Sequence, residues 1–303
     1  MPAGGAIARI RTGRRAAAAC RHDGPAGTIA AAVHPKRPLL VFLSDFGTTD
    51  DAVEICQGVT VSVAPDAEII DLTHQVTPFS ISEGARLLPR TAPYFPAGTV
   101  FVSVVDPGVG TARRPLVIRT RRGQYFVLPD DGLVTSLVNR DGLAGAREIR
   151  NPAWLIGTRL SSTFHGRNVF TSVAAHLARG EDWTRVGPAV ATLTRLETPG
   201  AVVDASGING SVVALDGPCG NLITHIAGDE FRRLGYVPGD AVRIDVGAEE
   251  LTLPYATTFG DVPVGRELAF TGSRGLVSLA VNQGNFARSH GVTPPVTVVV
   301  HLK

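Results

Sequence analysis

Residues 99–114 read TVFVSVVDPGVGTARR, in which a run of β-branched and aromatic residues ends at an acid and a tight turn. Valine and phenylalanine pack well on a pleated surface, so the run before Asp106 predicts a buried strand. Pro107 and Gly108 are typical turn residues and end the strand. Two roles are open for Asp106: it caps the turn, or it is a reactive group at the carboxyl end of the strand.

Segments on both sides of this stretch alternate between strand and helix patterns. Buried strands are predicted at LLVFLSD (39–45) and EIIDLTH (68–74), and a hairpin-like pair of strands at 115–132. The spacing of apolar residues predicts helices over 50–63, 82–94, 133–140 and 168–179. Such β/α alternation predicts a mainly parallel sheet with helices on both faces.

The sequence pattern changes near residues 190–202. Beyond that point the chain consists of short β-rich segments separated by glycines, which predict a smaller, mostly antiparallel β domain. The expected fold class is therefore α/β, with an α/β/α domain over 38–195 and a β domain over 200–303. Residues 1–37 are rich in Ala, Gly and Arg and are expected to form a disordered tail.

The composition excludes several classes of protein. With 303 residues, 44% of them hydrophobic and 18% charged, the chain is expected to be a soluble globular protein. A formal net charge of +2 gives no basic field for nucleic acid or a membrane surface. No run approaches the roughly 18 apolar residues that a membrane-spanning helix needs. An export signal at Arg14 and Arg15 is disfavoured, because the apolar stretch after them is too short.

The cysteines indicate neither a disulfide framework nor a metal site. Cys20, Cys56 and Cys219 are far apart, odd in number and without a CxxC pair. This usage fits a reducing cytoplasm, so a cytoplasmic protein without a metal is expected.

Aspartates follow or end three of the predicted strands, at Asp45, Asp71 and Asp106. Ligands of open α/β sheets bind beyond the carboxyl ends of the strands. One aspartate at such a position is commonly a cap or turn residue, whereas three together predict a polar rim over one crevice.

The loop after the first strand carries two acids that suit a polar ligand. Gly47 allows a tight turn between Asp45 and Asp50. One carboxylate can accept hydrogen bonds from two ribose hydroxyls, and the second suits an ammonium group. Alternatively, Asp50 and Asp51 cap the following helix, and both roles are compatible.

Two further regions leave a structural and a functional interpretation open. His165 directly precedes a helix pattern, and it is either a turn or core residue or a desolvated imidazole flanked by Phe164 and Arg167. The loops DGPCGN (216–221) and GSRG (272–275) are either plain hairpin turns or polar parts of a site.

Seven motifs in order carry a family resemblance: SDFGTTDD, DLTHQVTP, VVDPGVGTARR, PDDG, STFHGRN, DGPCGN and GSRG. Over about residues 37–303 the chain resembles the S-adenosyl-L-methionine (SAM) hydrolases that form adenosine, also called SAM hydroxide adenosyltransferases. These are relatives of the SAM-dependent fluorinase and chlorinase. The resemblance implies hydrolysis of SAM to adenosine and L-methionine, by in-line attack of activated water at C5′. It also implies a homotrimer with sites at the subunit interfaces, and SAM as a substrate rather than a cofactor.

The resemblance also implies a role for each matching residue. Asp106, Arg113 and His165 would form a triad that holds and polarises the attacking water. Asp45 would bind the ribose hydroxyls, while Asp50 and Asp216 would receive the methionine ammonium group. The remaining substrate contacts would be Ser273 and Arg274 at the methionine carboxylate end, Asn221 and Phe259 at the adenine, and Phe79 and Phe164 near the sulfonium and C5′.

Hydrolysis is favoured over two alternatives. The halogenases have polar, non-ionised groups where this chain has Asp106 and His165, and the fluorinase has an insertion before the PDDG position that this chain lacks. A non-catalytic SAM- or nucleoside-binding protein is disfavoured because the triad residues are present. The chain departs from the hydrolase pattern at Asp131 and Asn168, where Asn and Asp are expected, and at Cys219, where the loss of an aromatic predicts weaker substrate affinity.

Overall fold

The computed structural model describes residues 37–157, 161–197 and 200–303. The predicted tail lies, apart from Arg37, outside these residues. Within the described ranges, no helix has the length and apolar character needed to cross a membrane.

The N-terminal part contains a six-stranded sheet with the spatial order β2-β1-β3-β5-β4-β6. Its strands are β1 (Leu39–Ser44), β2 (Glu68–Thr73), β3 (Val100–Val104), β4 (Pro115–Thr120), β5 (Tyr125–Pro129) and β6 (Leu143–Glu148). Strands β2, β1, β3 and β5 are mutually parallel, whereas β4 pairs antiparallel with both β5 and β6. The predicted hairpin at 115–132 is thus β4 and β5, and the sheet is mainly parallel.

Helices cover both faces of this sheet: α1 (Ala52–Val63), α2 (Ile81–Thr91), α3 (Thr135–Asp141) and α4 (Ser172–Ala178). Alternate side chains of β1 point to opposite faces, so Phe42 belongs to the core cluster that includes residues of α1 and α4. Val41 belongs to the other cluster, with residues of α2 and α3. The predicted α/β/α layering is confirmed.

Three local features differ from the sequence-based expectation. The helix predicted over 82–94 ends at Thr91 and continues as a 3-10 turn, Ala92–Tyr94, because Pro93 has no N–H for the α-helical bonding pattern. The helix predicted over 168–179 starts with a π-helical segment, Gly166–Thr171. Strand β6 was not predicted, since its sequence LAGARE lacks β-branched residues.

The C-terminal part contains eight strands: β7 (Val202–Asp204), β8 (Gly207–Asp216), β9 (Asn221–Ala227), β10 (Ala241–Val246), β11 (Glu249–Ala256), β12 (Glu267–Thr271), β13 (Leu276–Val281) and β14 (Val296–His301). Two short helices, α5 (Gly228–Arg233) and α6 (Phe286–His290), accompany them. All strand pairs are antiparallel except β11 with β12. The predicted, mostly antiparallel class is confirmed, and pairing of β14 with β8 also closes the sheet like a barrel.

The register of the N-terminal sheet places the site. Ser44 at the end of β1 pairs with Val104 at the end of β3, so Asp45 and Asp106 follow adjacent parallel strands. Strand β5 pairs with β3 in the same direction. Its following residues, Asp130 and Asp131, therefore emerge at the same edge of the sheet.

Candidate active site

Asp106 and Arg113 form a buried, two-pronged ion pair at this edge. Nε of Arg113 donates to Oδ1 of Asp106 over 2.8 Å, and Nη2 donates to Oδ2. The side chains are only 6% (Asp106) and 9% (Arg113) exposed. A planar guanidinium matches a carboxylate in this arrangement, so the pair fixes the orientation of Asp106 as well as neutralising its charge.

The same guanidinium reaches His165. Nη2 of Arg113 lies 2.8 Å from Nδ1 of His165. Because a guanidinium only donates hydrogen bonds, Nδ1 must accept, and the proton of the neutral imidazole is on Nε2. Burial lowers the pKa of His165, and the charge of Arg113 lowers it further, against a smaller opposing effect of Asp106. The three residues of the predicted triad thus lie together, with Arg113 in the middle.

The glycine-containing turn after β3 orients Asp106. Its backbone oxygen accepts from Val109 N over 3.2 Å, so Asp106 does take part in the turn. Gly110 has a φ of +78°, and a Cβ there would lie 2.6 Å from the carbonyl oxygen of Ser162. Only glycine fits this close approach without strain. Asp106 is therefore both a turn residue and a charged group at the carboxyl end of the strand, and the two roles that the sequence left open are compatible.

Arg114 has a different environment from Arg113. Its Nε donates to Oδ2 of Asp130 over 2.9 Å, and its Nη2 donates to Thr192 O over 2.8 Å. The other oxygen of Asp130 accepts from Thr194 N over 2.8 Å. This ion pair therefore holds the chain segment at 192–194 against the sheet edge.

Asp45 and Phe79 are joined by a hydrogen bond. The backbone N–H of Phe79 donates to Oδ2 of Asp45 over 2.8 Å. Phe79 has a φ of 68°, which is unusual for a bulky residue, and it is 72% exposed. Strain and exposure of this kind are common where a side chain faces a ligand.

Asp50 lies at the start of α1, where its Oδ1 accepts from Ala52 N over 3.1 Å. Asp51 is the N-cap residue by position but makes no side-chain cap hydrogen bond. The capping interpretation thus describes Asp50 and not the side chain of Asp51. Asp50 remains exposed and keeps its other oxygen available.

An aromatic pair lies near His165. Phe46 and Phe164 meet edge to face with ring centroids 5.8 Å apart, and the guanidinium of Arg167 lies 5.1 Å from the ring centre of Phe164. A Cβ on Gly166 would lie 2.6 Å from Cζ of Phe46, so glycine permits this packing. Phe46 directly follows Asp45 in the chain, but no sequence pattern marked it as a site residue.

Asp71 does not belong to the polar rim, so the prediction of three strand-end aspartates was wrong for this residue. It lies inside β2, because pairing with β1 continues to Thr73. Its Oδ1 lies 3.1 Å from Nε2 of His74, whose Nδ1 is 2.7 Å from the buried hydroxyl of Ser44. The carbonyl of His74 accepts from Gly47 N over 2.7 Å, so this chain of contacts supports the loop that carries Asp45.

Asp131 is a fourth acid at this edge of the sheet, beside Asp45, Asp106 and Asp130. In the sequence it stands out only because the hydrolase pattern has Asn at this position. Its Oδ1 accepts from Leu133 N over 3.0 Å, whereas Oδ2 is buried without a partner in the described part of the chain. Burial raises the pKa of Asp131 to about 7, and the charge of Asp106 adds to the effect. Asp131 therefore keeps its proton to a much higher pH than an ordinary aspartate, in the field of the Asp106–Arg113 pair.

The predicted C-terminal site residues form a second group. Nη2 of Arg274 donates to Oδ1 of Asp216 over 2.9 Å, which joins the β12–β13 and β8–β9 loops. Asn221 is buried at the start of β9, Ser273 is exposed, and Phe259 packs against Phe270 with centroids 5.0 Å apart. Both loops are hairpin connections. Cys219, in the β8–β9 loop, is exposed.

The two groups of predicted site residues are not bonded to each other in the described part of the chain. Among the hydrogen bonds, ion pairs and aromatic contacts of the described residues, none joins the group of Asp45, Asp106 and His165 to that of Asp216 and Arg274. Across the same residues, no cluster of three or more His, Cys, Asp or Glu side chains has the arrangement of a metal site.

Sequence profiles of one family match most of the chain. The profile of the SAM hydroxide adenosyltransferase N-terminal domain matches residues 40–187, and that of the C-terminal domain matches residues 210–299. The chain belongs to the SAM hydroxide adenosyltransferase family. The predicted resemblance is therefore confirmed.

Individual members of the SAM hydroxide adenosyltransferase family and its relatives are similar over nearly their full length. The (R)-S-adenosyl-L-methionine hydrolase of Salinispora arenicola is 39% identical over 260 residues, 85% of this chain and 95% of that protein. The fluorinase of Nocardia brasiliensis is 32% identical over 295 residues, 88% of this chain and 98% of that protein. The crystal structure of an uncharacterized conserved protein from Thermotoga maritima superposes with a TM-score of 0.81 at 37% identity, covering 86% of this chain and 99% of that one.

Proposed function

We propose that this protein hydrolyses SAM to adenosine and L-methionine, by in-line attack of water on C5′. The observation that carries the proposal is the cluster of Asp106, Arg113 and His165 at the carboxyl edge of a parallel sheet. Family membership and the hydrolase from Salinispora arenicola support it.

The chemistry of a sulfonium explains what such a cluster has to do. The methionine thioether leaves SAM as a neutral group, so it needs neither a general acid nor a cofactor. The barrier therefore lies with the nucleophile. Holding water in line with the C5′–S bond supplies up to about 7–11 kcal/mol in favourable cases, and a positioned base adds about 10²- to 10⁴-fold in rate.

The hydrogen bonds around Arg113 suggest how the water is held. Both oxygens of Asp106 accept from Arg113, but a carboxylate has further lone pairs that can accept a hydrogen bond from water. The Nε2–H of His165 can donate to the water oxygen, since Nδ1 is engaged by Arg113. In this arrangement Asp106 receives the proton and His165 orients the nucleophile. Phe79 and Phe164 would wall the C5′ region and keep it dry.

The remaining substrate contacts are proposals of the same kind. Asp45 would bind the ribose hydroxyls and Asp50 the methionine ammonium group, close to the cluster. From the second group, Asp216, Ser273 and Arg274 would receive the amino acid end, and Asn221 and Phe259 the adenine. Since no hydrogen bond, ion pair or aromatic contact of the described residues joins the two groups, we propose a homotrimer in which neighbouring subunits complete each site. We also propose domain limits of 38–195 and 200–303 and a cytoplasmic location.

A product analysis tests the proposed reaction. The protein is incubated with SAM in the absence and presence of chloride or fluoride, and the nucleoside products are separated by chromatography. Adenosine as the product in every condition is the expected result. A 5′-halogenated adenosine would instead indicate the activity named for the Nocardia brasiliensis relative, and unchanged SAM would indicate binding without turnover.

A further inference from the structure

Helix α2 presents two arginines to a cleft whose lining does not include Asp106, Arg113 or His165. Arg86 and Arg90 are four residues apart and therefore lie on one face of the helix. Both line a cleft of about 920 Å³, whose opposite wall includes Arg274 and His225. Among the described residues that line this cleft, Arg274 is the one that was also predicted as a site residue.

The positive charges in the cleft are poorly neutralised. Asp216 is hydrogen-bonded to Nη2 of Arg274, and Oε2 of Glu83 accepts from the backbone N–H of Thr77. Nε and Nη1 of Arg86 and Nη1 of Arg274 are buried and have no partner in the part of the chain that the structure describes. A buried donor without an acceptor is costly, and a charged one more so.

The arginines also perturb one another. Burial lowers the pKa of Arg86, and the charge of Arg274 is the next cause. Burial likewise lowers the pKa of Arg90 to about 10, with further contributions from Arg274 and Arg86. Three guanidiniums thus lie close enough to repel one another, although Glu83 and Asp216 offset part of the repulsion at Arg86.

We infer that Arg86, Arg90 and Arg274 form a binding site for a small oxyanion, a carboxylate or a phosphate group. Guanidiniums bind these groups through paired N–H donors, and an anion among three of them would relieve their repulsion. Ser80, Ser82 and His225 also line the cleft and can supply neutral hydrogen bonds to the remaining oxygens. Adjustment of the Arg86 side chain would bring its buried donors to the bound oxygens.

Two sources could supply the oxyanion. One is the methionine carboxylate of a SAM molecule whose C5′ lies at the Asp106 cluster of a neighbouring subunit, in which case the inference rests on the proposed function and deepens it. The other is a free inorganic anion such as phosphate, which does not depend on that function. The recognising chemistry is the same, so binding measurements have to separate the sources.

Isothermal titration calorimetry with inorganic phosphate, SAM and L-methionine tests the inference on the full chain. The variants are Arg86→Gln and Arg90→Gln, with Arg243→Gln as a matched control, because Arg243 is an exposed arginine on β10. Circular dichroism melting verifies that each variant is folded. The full chain and Arg243→Gln are expected to bind at least one of the three compounds with equal Kd. Both cleft variants are expected to bind that compound at least tenfold more weakly.

The pattern of losses identifies the source. Weaker phosphate binding with unchanged SAM binding indicates a free anion, whereas weaker SAM and methionine binding indicates the carboxylate. Unchanged affinity of folded Arg86→Gln and Arg90→Gln for all three compounds would contradict the inference. A lower oligomer mass of these variants on ultracentrifugation, with unchanged binding, would also contradict the inference. The guanidiniums would then serve to contact a neighbouring subunit. The SAM titrations are made in the Asp106→Asn background, so that hydrolysis adds no heat. Titrations with phosphate and L-methionine need no turnover, so failure of SAM hydrolysis would not be mistaken for failure of the anion site.

Discussion

Arg113 hydrogen-bonds both Asp106 and His165, and it is the group through which these two residues are connected. Its guanidinium also lies 5.1 Å from the ring centre of Phe170, which packs against the inner side of the cluster. The arginine therefore sets the orientation of the acid, the tautomer of the imidazole and the charge balance of the site.

Arg113→Gln is expected to reduce kcat by at least about 10²-fold, because Asp106 and His165 lose their shared donor. Removal of the nearby cation should also raise the pKa of His165, since the charge of Arg113 lowers it in the native protein. Turnover is measured by adenosine release, and the His165 titration by NMR. Turnover near that of the native protein, or a fall in the His165 pKa, would contradict the proposed arrangement.

Arg114→Gln is the matched control and is expected to behave differently. It leaves the buried carboxylate of Asp130 without its ion-pair partner, which should cost about 1–3 kcal/mol of stability. The kcat of the folded variant should remain close to that of the native protein. Urea unfolding and adenosine release measure the two effects. A loss of turnover equal to that of Arg113→Gln would refute the distinction between the adjacent arginines.

Asp131→Asn is expected to stabilise the protein above pH 7. The native pKa of about 7 lies above the ordinary value of 3.8, so folding favours the protonated carboxyl. The stability contributed by this group is fully present below pH 4 and is lost as the pH rises to about 7. The free energy of unfolding of the Asn variant lacks this pH dependence. Its excess over that of the native protein should therefore grow between pH 4 and pH 7, to roughly a few kcal/mol.

Urea unfolding at pH 4.5 and pH 8 measures this difference. Asp130→Asn serves as the control, because Asp130 is ion-paired with Arg114 and its loss should destabilise the protein at pH 8. An Asp131→Asn variant that is less stable than the native protein at pH 8 would show that burial does not raise the pKa of Asp131.

Phe79→Gly is expected to separate stability from substrate binding. Glycine adopts a φ of 68° without the cost of roughly 1 kcal/mol that a bulky side chain pays there, and the exposed ring of Phe79 contributes little burial. Stability should therefore be equal or higher, while KM for SAM should rise because an aromatic wall is lost. Phe79→Ala keeps the strained backbone and should be the less stable of the two. A KM unchanged in both variants would exclude Phe79 from the substrate pocket.

Local patterns predicted the parts of the fold that depend on neighbouring residues in the chain. The strand runs before Asp45 and Asp106 ended where turn residues begin, and the parallel sheet then brought both acids to one edge. Asp71 was misplaced because the length of β2 depends on its partner β1, whose pairing extends to Thr73. The antiparallel C-terminal class was likewise readable from the glycine-separated strand runs.

Contacts between segments that are distant in the chain could not be predicted from sequence patterns. Arg113 and Arg114 are chemically identical neighbours, and only the fold turns them toward different acids, Asp106 and Asp130. The same holds for Asp131, whose burial depends on several elements, and for the arginines of α2, whose cleft includes residues from the C-terminal strands. The substrate contacts implied by the family resemblance remain predictions.

Attack of water on C5′ of SAM is tested by incubation of the protein with SAM in ¹⁸O-labelled water. The products are separated and analysed by mass spectrometry, with Asp106→Asn as a control that should yield little product. Attack at C5′ places one ¹⁸O atom in adenosine, at O5′, and none in methionine. Label in methionine, or adenosine without label, would contradict it.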